Sequence, residues 1–545
     1  LTPVRLLLFA VLATAALAQP LDVIVRNARV WTGDEKQPWA DSLAISGDSI
    51  ARLNVPPTEQ ASKVIDAEGR LIVPGFTDAH IHLVPGGLRL NSVQLRSAKT
   101  RQEFVNRIAQ FAARLPKGAW ITGGDWDHEN WGGELPSRAW IDSVTPNNPV
   151  WISRLDGHMG LANSLALKMA GITARTRDVP GGAIVKDAKG EPTGVLKDNA
   201  MELVAELVPA PSDAERRQAI LAAVDYLVSF GVTSIHNMGL MDDLNAVESL
   251  RESQQLKLRV YSAVPIAAGR ALSKFIQAND GNRGDRTHRW GLLKAFIDGS
   301  LGSHTAAFEE PYSDNPADKG LLVTLPEQLY DLVVVNYLDG LQVAIHAIGD
   351  RGNRLTLDTL ERAGKVLGPG GQRARIEHAQ HLRPDDIPRF KRLGVIASMQ
   401  PYHLADDGRW AEKFIGPQRA KTTYAFRSLL NAGATLAFGS DWYVAPPNVM
   451  EGIWAAVTRQ TLDGKHPGGW TPEEKITVEE ALRAYTYGGA YASYEETYKG
   501  KLLPNYLADF VILDRDITRI PPNEIRHVKV LQTWVGGKPV YEAPR

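Results

Sequence analysis

Cysteine is absent from all 545 residues. That excludes a disulfide framework, a thiolate metal site, a cysteine nucleophile and a lipidated cysteine. A bias of charge is lacking too: 61 basic and 62 acidic side chains leave a formal net charge of -1. No basic stretch interleaved with aromatics occurs, so nucleic acid is not an expected partner. No apolar run reaches the about 20 residues of a membrane span. The run Leu6–Leu12 behind Arg5 is shorter and leads into Ala16-Leu17-Ala18 before Gln19-Pro20. That is the pattern of a secretory signal peptide, residues 1–18, cleaved near Ala18. It predicts a bacterial periplasmic or secreted protein with no membrane anchor once the leader is removed. No G-x-G-x-x-G follows a candidate strand, which disfavours a dinucleotide-binding sheet.

What is present is enough for a large core. Hydrophobic residues make up 44% and charged residues 23% of the chain, and this length corresponds to about three to four domain-sized units. The organising stretch is Val73-Pro-Gly-Phe-Thr-Asp-Ala-His-Ile-His-Leu83. In a strand the side-chain period is two, so His80 and His82 project from one face, with Asp78 on the same side. Neutral imidazole is the commonest metal ligand, and a rigid strand sets two coordination directions. An isolated H-x-H is more often two hydrogen-bonded or solvated histidines than a metal site, so the case for ligands must come from downstream.

The two ends of the chain read as short strands separated by turns, residues 19–75 and 498–545, each too short to bury a core alone. Together they predict one small β-sandwich. Between them, strands alternate with helices: Ile72–Leu83, Gly231–Asn237, Leu258–Val264, Leu292–Asp298, Gln342–His346, Arg375–His378, Val395–Gln400 and Thr435–Gly439, with helical patterns at Ala214–Phe230, Leu325–Leu338 and Arg354–Val366. Eight such strands predict an α/β fold, a (β/α)8 TIM-like barrel over residues 76–90 and 226–497, with an open doubly wound sheet as the alternative. Residues 91–225 break the rhythm and carry five of the thirteen tryptophans. They read as a subdomain inserted after the first barrel strand, either a cover for the pocket or a peripheral packing module.

Polar residues stand at or near the ends of otherwise apolar strands: Lys294 within the fourth, His346 on the fifth, His378 on the sixth and Asp441 beyond the eighth. Barrel enzymes place their chemistry at these ends. Singly, each has a structural explanation. Jointly, four histidines, a lysine and an aspartate on five converging strands are hard to account for as packing.

In this order, His80-x-His82, Lys294, His346, His378 and Asp441 resemble the amidohydrolase superfamily. The words Leu293-Lys-Ala-Phe-Ile-Asp-Gly-Ser-Leu-Gly-Ser303, His346-Ala-Ile-Gly-Asp350, Ile376-Glu-His-Ala-Gln380 and Gly439-Ser-Asp441 are similar to its YtcJ-like and N-substituted formamide deformylase-like subgroup, as are Arg154-Leu-Asp-Gly-His158 and Gly194-Val-Leu196. The resemblance implies a metal-dependent hydrolase that cleaves a non-peptide C–N bond, in an amide or N-formyl or N-acyl amine, with metal-activated hydroxide. It implies one or two divalent ions, zinc by default: His80 and His82 on one, His346 and His378 on the other, Lys294 bridging as an N6-carboxylated lysine if there are two, and Asp441 completing the site. Two positions depart from the subgroup's pattern, His304 where arginine is usual and Asp198 where glutamate is.

Asp441 is the expected proton carrier, with His158 and His236 as further catalytic candidates. His304, Gln400 and His403 are candidate substrate contacts, and Trp126 in the tryptophan-rich insertion points to an apolar or aromatic part of the substrate, although tryptophan is more often core than ligand wall. For His158, His236 and His403 a structural hydrogen-bonding role is equally expected. Ester or lactone hydrolysis, a lyase or isomerase on the same scaffold, a single-metal deaminase or hydrolase with Lys294 unmodified, and a non-catalytic periplasmic binding protein are the competing readings. The expected partner is a small-molecule substrate; a homodimer is left open.

Overall fold

The computed structural model describes residues 21–368 and 372–544; the leader assigned to residues 1–18 lies outside them. Eight parallel strands follow one another in chain order around one sheet: Phe76–Ile81, Val232–Met238, Arg259–Pro265, His288–Phe296, Gln342–Ala347, Arg375–His378, Ile396–Met399 and Thr435–Phe438. Most of their residues are buried, as expected of parallel strands covered on both faces. The sheet closes between its first and last members. Ile81 bridges Trp442 in parallel, the His82 N–H donates to the Trp442 carbonyl at 2.8 Å and the Asp441 N–H to the His80 carbonyl at 2.7 Å. The seam of the barrel thus runs through His80, His82 and Asp441, three of the residues expected from sequence as ligands.

Helices pack outside. Asp213–Val228 begins in a capping box, with the Ser212 side chain accepting from the Glu215 N–H and the Glu215 side chain accepting from the Ser212 N–H. Pro326–Leu338 and Asp350–Leu367 lie side by side after the fourth and fifth strands. No helix among the described residues is long and apolar enough to cross a membrane.

The stretch expected as one strand, Ile72–Leu83, is two. Leu71–Pro74 joins a six-stranded sheet with Arg29–Trp31 and the C-terminal strands Phe510–Leu513 and Val530–Val535, and Phe76–Ile81 enters the barrel. The break is at Gly75, whose N–H donates to the Asp509 carbonyl at 2.9 Å. A Cβ there would stand 2.2 Å from Thr233 Oγ1, so only glycine lets the chain pass from one sheet to the other. The four-stranded sheet of Val23–Arg26, Leu43–Ser46, Ser49–Leu53 and Lys63–Asp66 shares a core with the six-stranded one, built from Val25, Ile45, Ile72, Phe510 and Trp534.

Between the first and second barrel strands stands another six-stranded sheet, from Val93–Gln94 to Pro192–Asp198, with a core of its own that includes Phe104, Ile108, Ile152 and Leu161. Trp126 belongs to this core. It is fully buried and its Nε1–H donates to the Ile152 carbonyl at 3.2 Å. The expectation that Trp126 contacts substrate is therefore corrected: its bulk and its single donor are both spent inside the insertion.

Candidate metal centre

At the carboxyl ends of the barrel strands the side chains surround a cavity of about 220 Å3. His80, His82, Lys294, His346, His378 and Asp441 all line it, joined by His158 and His403. Backbone geometry aims two of these. His378 and Asp441 have φ of 72° and 59°, a region that non-glycine residues enter at a cost of about 1–3 kcal/mol. The cost at Asp441 is met by its surroundings. Asp78 accepts from the Ser440 N–H at 2.9 Å and from the Ser440 hydroxyl at 2.5 Å. Gly439 lets the eighth strand approach so closely that a Cβ would lie 2.6 Å from the His80 nitrogen. Asp78, placed by strand alternation on the face of the two histidines, is spent on this support.

Each of the four histidines has one ring nitrogen committed to an acceptor. His80 Nδ1 meets Glu377 Oε2 at 2.5 Å, and His82 Nδ1 meets the Met238 carbonyl at 3.1 Å. His346 Nε2 meets the Gly299 carbonyl at 3.0 Å, and His378 Nδ1 meets Gln400 Oε1 at 2.7 Å. A neutral imidazole that donates from one nitrogen keeps its lone pair on the other. Burial holds the pKa of His80 down to about 4, helped by Lys294, and lowers those of His346 and His378 well below the ordinary value. Neutral rings with an oriented second nitrogen are what metal ligation requires.

The lone pairs converge. His82 Nε2 and His80 Nε2 stand 3.1 Å and 3.4 Å from Asp441 Oδ1, a buried oxygen with no hydrogen-bond partner. Three electron-rich atoms facing one another repel, and the Lys294 ammonium, 3.2 Å from His80 Nε2, hydrogen-bonds only one of them, so a further cation among the three would be favourable. His80, His378 and Asp441 each offer a donor atom within 4.8 Å of the other two, so this set fits a divalent ion. It draws one histidine from each of the two pairs expected from sequence.

Lys294 is buried, and Nζ reaches His80 Nε2 at 3.2 Å and lies over the Phe296 ring at 4.7 Å. Burial lowers its pKa to about 8, with Glu377 and Asp441 pulling upward. His158 Nδ1 meets Asp198 Oδ1 at 2.7 Å. Burial alone would lower the His158 pKa, but the Asp198 bond and the fields of Asp198, Asp156 and Asp298 outweigh it and raise the value. His403 lies parallel to the His378 ring at 6.3 Å, its buried Nε2 without a partner.

Three other expected site residues are not brought into the cavity. His236 does not line it, and its Nδ1 accepts from Arg375 Nη1 at 2.7 Å. Gln400 orients His378 instead of lining the wall. His304 is turned away by a left-handed backbone (φ 56°), stacked on Tyr312 at 4.4 Å and 3.3 Å from Asp314. The pair Arg375 and Glu377 escaped sequence reasoning. Glu377 bonds His80 on one side and Arg375 on the other, at 2.8 Å to Nε. Burial alone would raise its pKa, but Arg375 and His80 hold it below the carboxylate range. The signal was faint: Arg375 opens the short strand Arg-Ile-Glu-His, in which only Ile376 is apolar.

The insertion supplies Arg154 to His158 as one wall of the cavity. It is tied to the barrel by Asp156, whose Oδ2 accepts from Arg154 Nη1 at 2.6 Å, from the Ser303 hydroxyl at 2.9 Å and from the Ser300 hydroxyl. Burial would raise the Asp156 pKa; Arg154, His158 and the two hydroxyls hold it at about 2. A depressed carboxylate contributes stability above its unfolded pKa of about 3.9, and that stability is lost as pH falls through the folded value. Asp156→Asn is expected to cost about 2 kcal/mol near pH 7 and almost nothing below pH ~2. Urea denaturation of both proteins across that range checks it, and a penalty independent of pH would show that the latch is not ionic.

A sequence profile described as Amidohydrolase family matches residues 63–541. Protein LONG AFTER FAR-RED 3 of Arabidopsis thaliana is 41% identical over 541 residues, covering 95% of this chain and 91% of that one. Putative amidohydrolase YtcJ of Bacillus subtilis (strain 168) is 31% identical, covering 89% of this chain and 91% of its own length. N-substituted formamide deformylase of Arthrobacter pascens is 28% identical, covering 96% and 99%. Among solved structures, an uncharacterized metal-dependent hydrolase from Pyrococcus horikoshii ot3 matches with a TM-score of 0.74 at 28% identity, covering 92% of this chain and 99% of that one.

Proposed function

This chain belongs to the amidohydrolase family, and from that premise we propose that it hydrolyses a non-peptide C–N bond of a small molecule, in an amide or an N-formyl or N-acyl amine. One observation carries the reading: the unpartnered Asp441 oxygen at the meeting point of the imidazole lone pairs. The donor set, nitrogen and oxygen without thiolate, suits a divalent ion, zinc by default. His80, His82, His346, His378 and Asp441 would hold one or two such ions. When bound, the metal supplies Lewis acidity and lowers the pKa of water towards about 7.

The chain's own residues supply the rest. Asp441 Oδ1 accepts the proton of the attacking water and returns it to the leaving nitrogen, a transfer that matters most for amines because an unprotonated amide anion is a very poor leaving group. His158, held by Asp198 through Nδ1, turns Nε2–H to the cavity as a donor for the carbonyl oxygen as negative charge develops there. Arg375 and Glu377 hold the His80 ring. Lys294 has no carboxylate within ion-pairing distance among the described residues, and an unpaired buried ammonium is costly. Its carbamate would replace that charge with an anionic oxygen ligand in a two-ion site.

The similarity to an N-substituted formamide deformylase over 96% of the chain supports N-formyl amines as the first compounds to try. Metal-reconstituted protein is expected to release amine from N-formyl or N-acyl amines, and chelated protein to release none. Cleavage of esters alone would overturn the C–N assignment. Carbon-13 NMR of the folded protein in 13C-bicarbonate is expected to show a carbamate resonance together with two ions per chain; no such resonance with one ion would reduce the site to a single metal.

A further inference from the structure

The helix Pro401–Asp407 leaves the end of the seventh strand along the cavity wall. His403 and Asp407 are four residues apart, so both stand on one face of the helix, and both line the cavity. His403 lies parallel to the His378 ring at 6.3 Å, and Asp407 follows one turn, about 5.4 Å along the helix, beyond His403. Asp407 Oδ2 accepts from the Gln380 amide at 2.8 Å and from the Tyr424 hydroxyl at 2.6 Å, two neutral donors.

The neighbouring acids are differently placed. Asp127 has Arg154 at 3.2 Å and Arg409 at 3.1 Å, Asp156 has Arg154 at 2.6 Å, and Asp406 has Arg409 in contact and Arg96 at 3.8 Å. Among the described residues Asp407 has no cationic partner. An enclosed carboxyl without one is expensive to keep. Burial, reinforced by Asp406, holds its pKa up to about 7, although the more distant Arg154 and Arg409 pull downward. Trp410 lines the same end of the cavity and offers an aromatic face beside it.

We propose that Asp407 recognises a cationic amine on the substrate, carried about one helical turn from the carbonyl that is cut, with Trp410 as the wall that covers it. The preferred substrates are then acylated diamines and related amino amides, and simple alkyl amides are poor ones. The bond that is cut rests on the hydrolase reading above; the binding of the amine does not.

The test compares N-formyl-1,3-diaminopropane with N-formylbutylamine, of nearly the same size, on the metal-reconstituted protein and on Asp407→Asn. Turnover and calorimetric binding are both read. The wild-type protein is expected to favour the aminated compound at least about tenfold, the factor that corresponds to about 1.4 kcal/mol from one charged hydrogen bond. In Asp407→Asn the ratio falls to near one, mainly through KM. Asparagine keeps an oxygen for Gln380 and Tyr424, and an unchanged melting temperature establishes that the fold is intact. No preference in the wild-type protein, or the same preference in the variant, overturns the proposal. If neither compound is cut, the hydrolase reading fails for these substrates. A calorimetric preference that Asp407→Asn removes still supports the amine site, and the lack of one overturns it.

Discussion

Asp441→Asn is expected to lower kcat/KM by about 10^3-fold or more and to leave the melting temperature nearly unchanged. The two halves of this expectation have one cause. Oδ1 of Asp441 has no hydrogen-bond partner, so removing its charge breaks no structural bond to that atom. The main-chain link that closes the barrel, the Asp441 N–H to the His80 carbonyl at 2.7 Å, is untouched. Under the proposed function, what is lost is a carboxylate that would both ligate the metal and accept a proton, and an amide does neither well. General acid–base catalysis by a positioned side chain is worth about 10^2–10^4-fold. Metal content by elemental analysis separates the two losses: a variant that retains its ions but not its rate has lost the proton carrier. Near-normal rates would remove Asp441 from the chemistry.

Arg375→Leu has the largest expected effect on stability. Arg375 is fully buried and donates from Nη2 to the Ala79 carbonyl at 2.6 Å and to Ser398 Oγ at 2.9 Å, and from Nε to Glu377 Oε1 at 2.8 Å. Its loss strands a buried carboxylate, which typically costs about 3–5 kcal/mol. Against a net stability of about 5–15 kcal/mol this brings the protein close to unfolding. Glu377→Leu added to Arg375→Leu is expected to recover part of that stability, because a buried ion pair replaced by apolar groups is often neutral. The double variant still leaves His80 Nδ1 without its acceptor, so metal affinity stays reduced, by about 10–100-fold. Urea unfolding and metal titration of both variants read the two effects separately. Full recovery of metal binding along with stability would confine Arg375 and Glu377 to a packing role.

The barrel was legible because apolar strands alternate with helical segments and because each strand is a short run with a polar residue near its end. The site was legible for the same reason: Lys294, His346 and His378 interrupt apolar strands, where an unpaired polar group is costly. His236, inside an apolar strand, met the same criterion, and His304 was singled out as a departure from the subgroup's pattern; packing keeps both out of the cavity. His236 is buried and spent on a hydrogen bond from Arg375. His304 is turned out by a left-handed backbone onto Tyr312. Trp126 was read as a ligand wall when its insertion needed it as core. Asp407 carried no signal at all, since one aspartate in a polar helix looks like any other until its ionic partners can be counted.

By itself, then, the order of residues determined the parallel barrel, the strands that end in donors, and the chemical types of those donors. Only the tertiary structure decided which nitrogen of each imidazole is free. That choice belongs to the group accepting from the other nitrogen: Glu377 for His80, 297 positions away, the Met238 carbonyl for His82, 156 away, and the Gly299 carbonyl for His346, 47 away. Ligand types are covalent properties of the chain and can be read along it. The direction of a lone pair is a property of hydrogen bonds between distant residues, and it exists only once the barrel has closed.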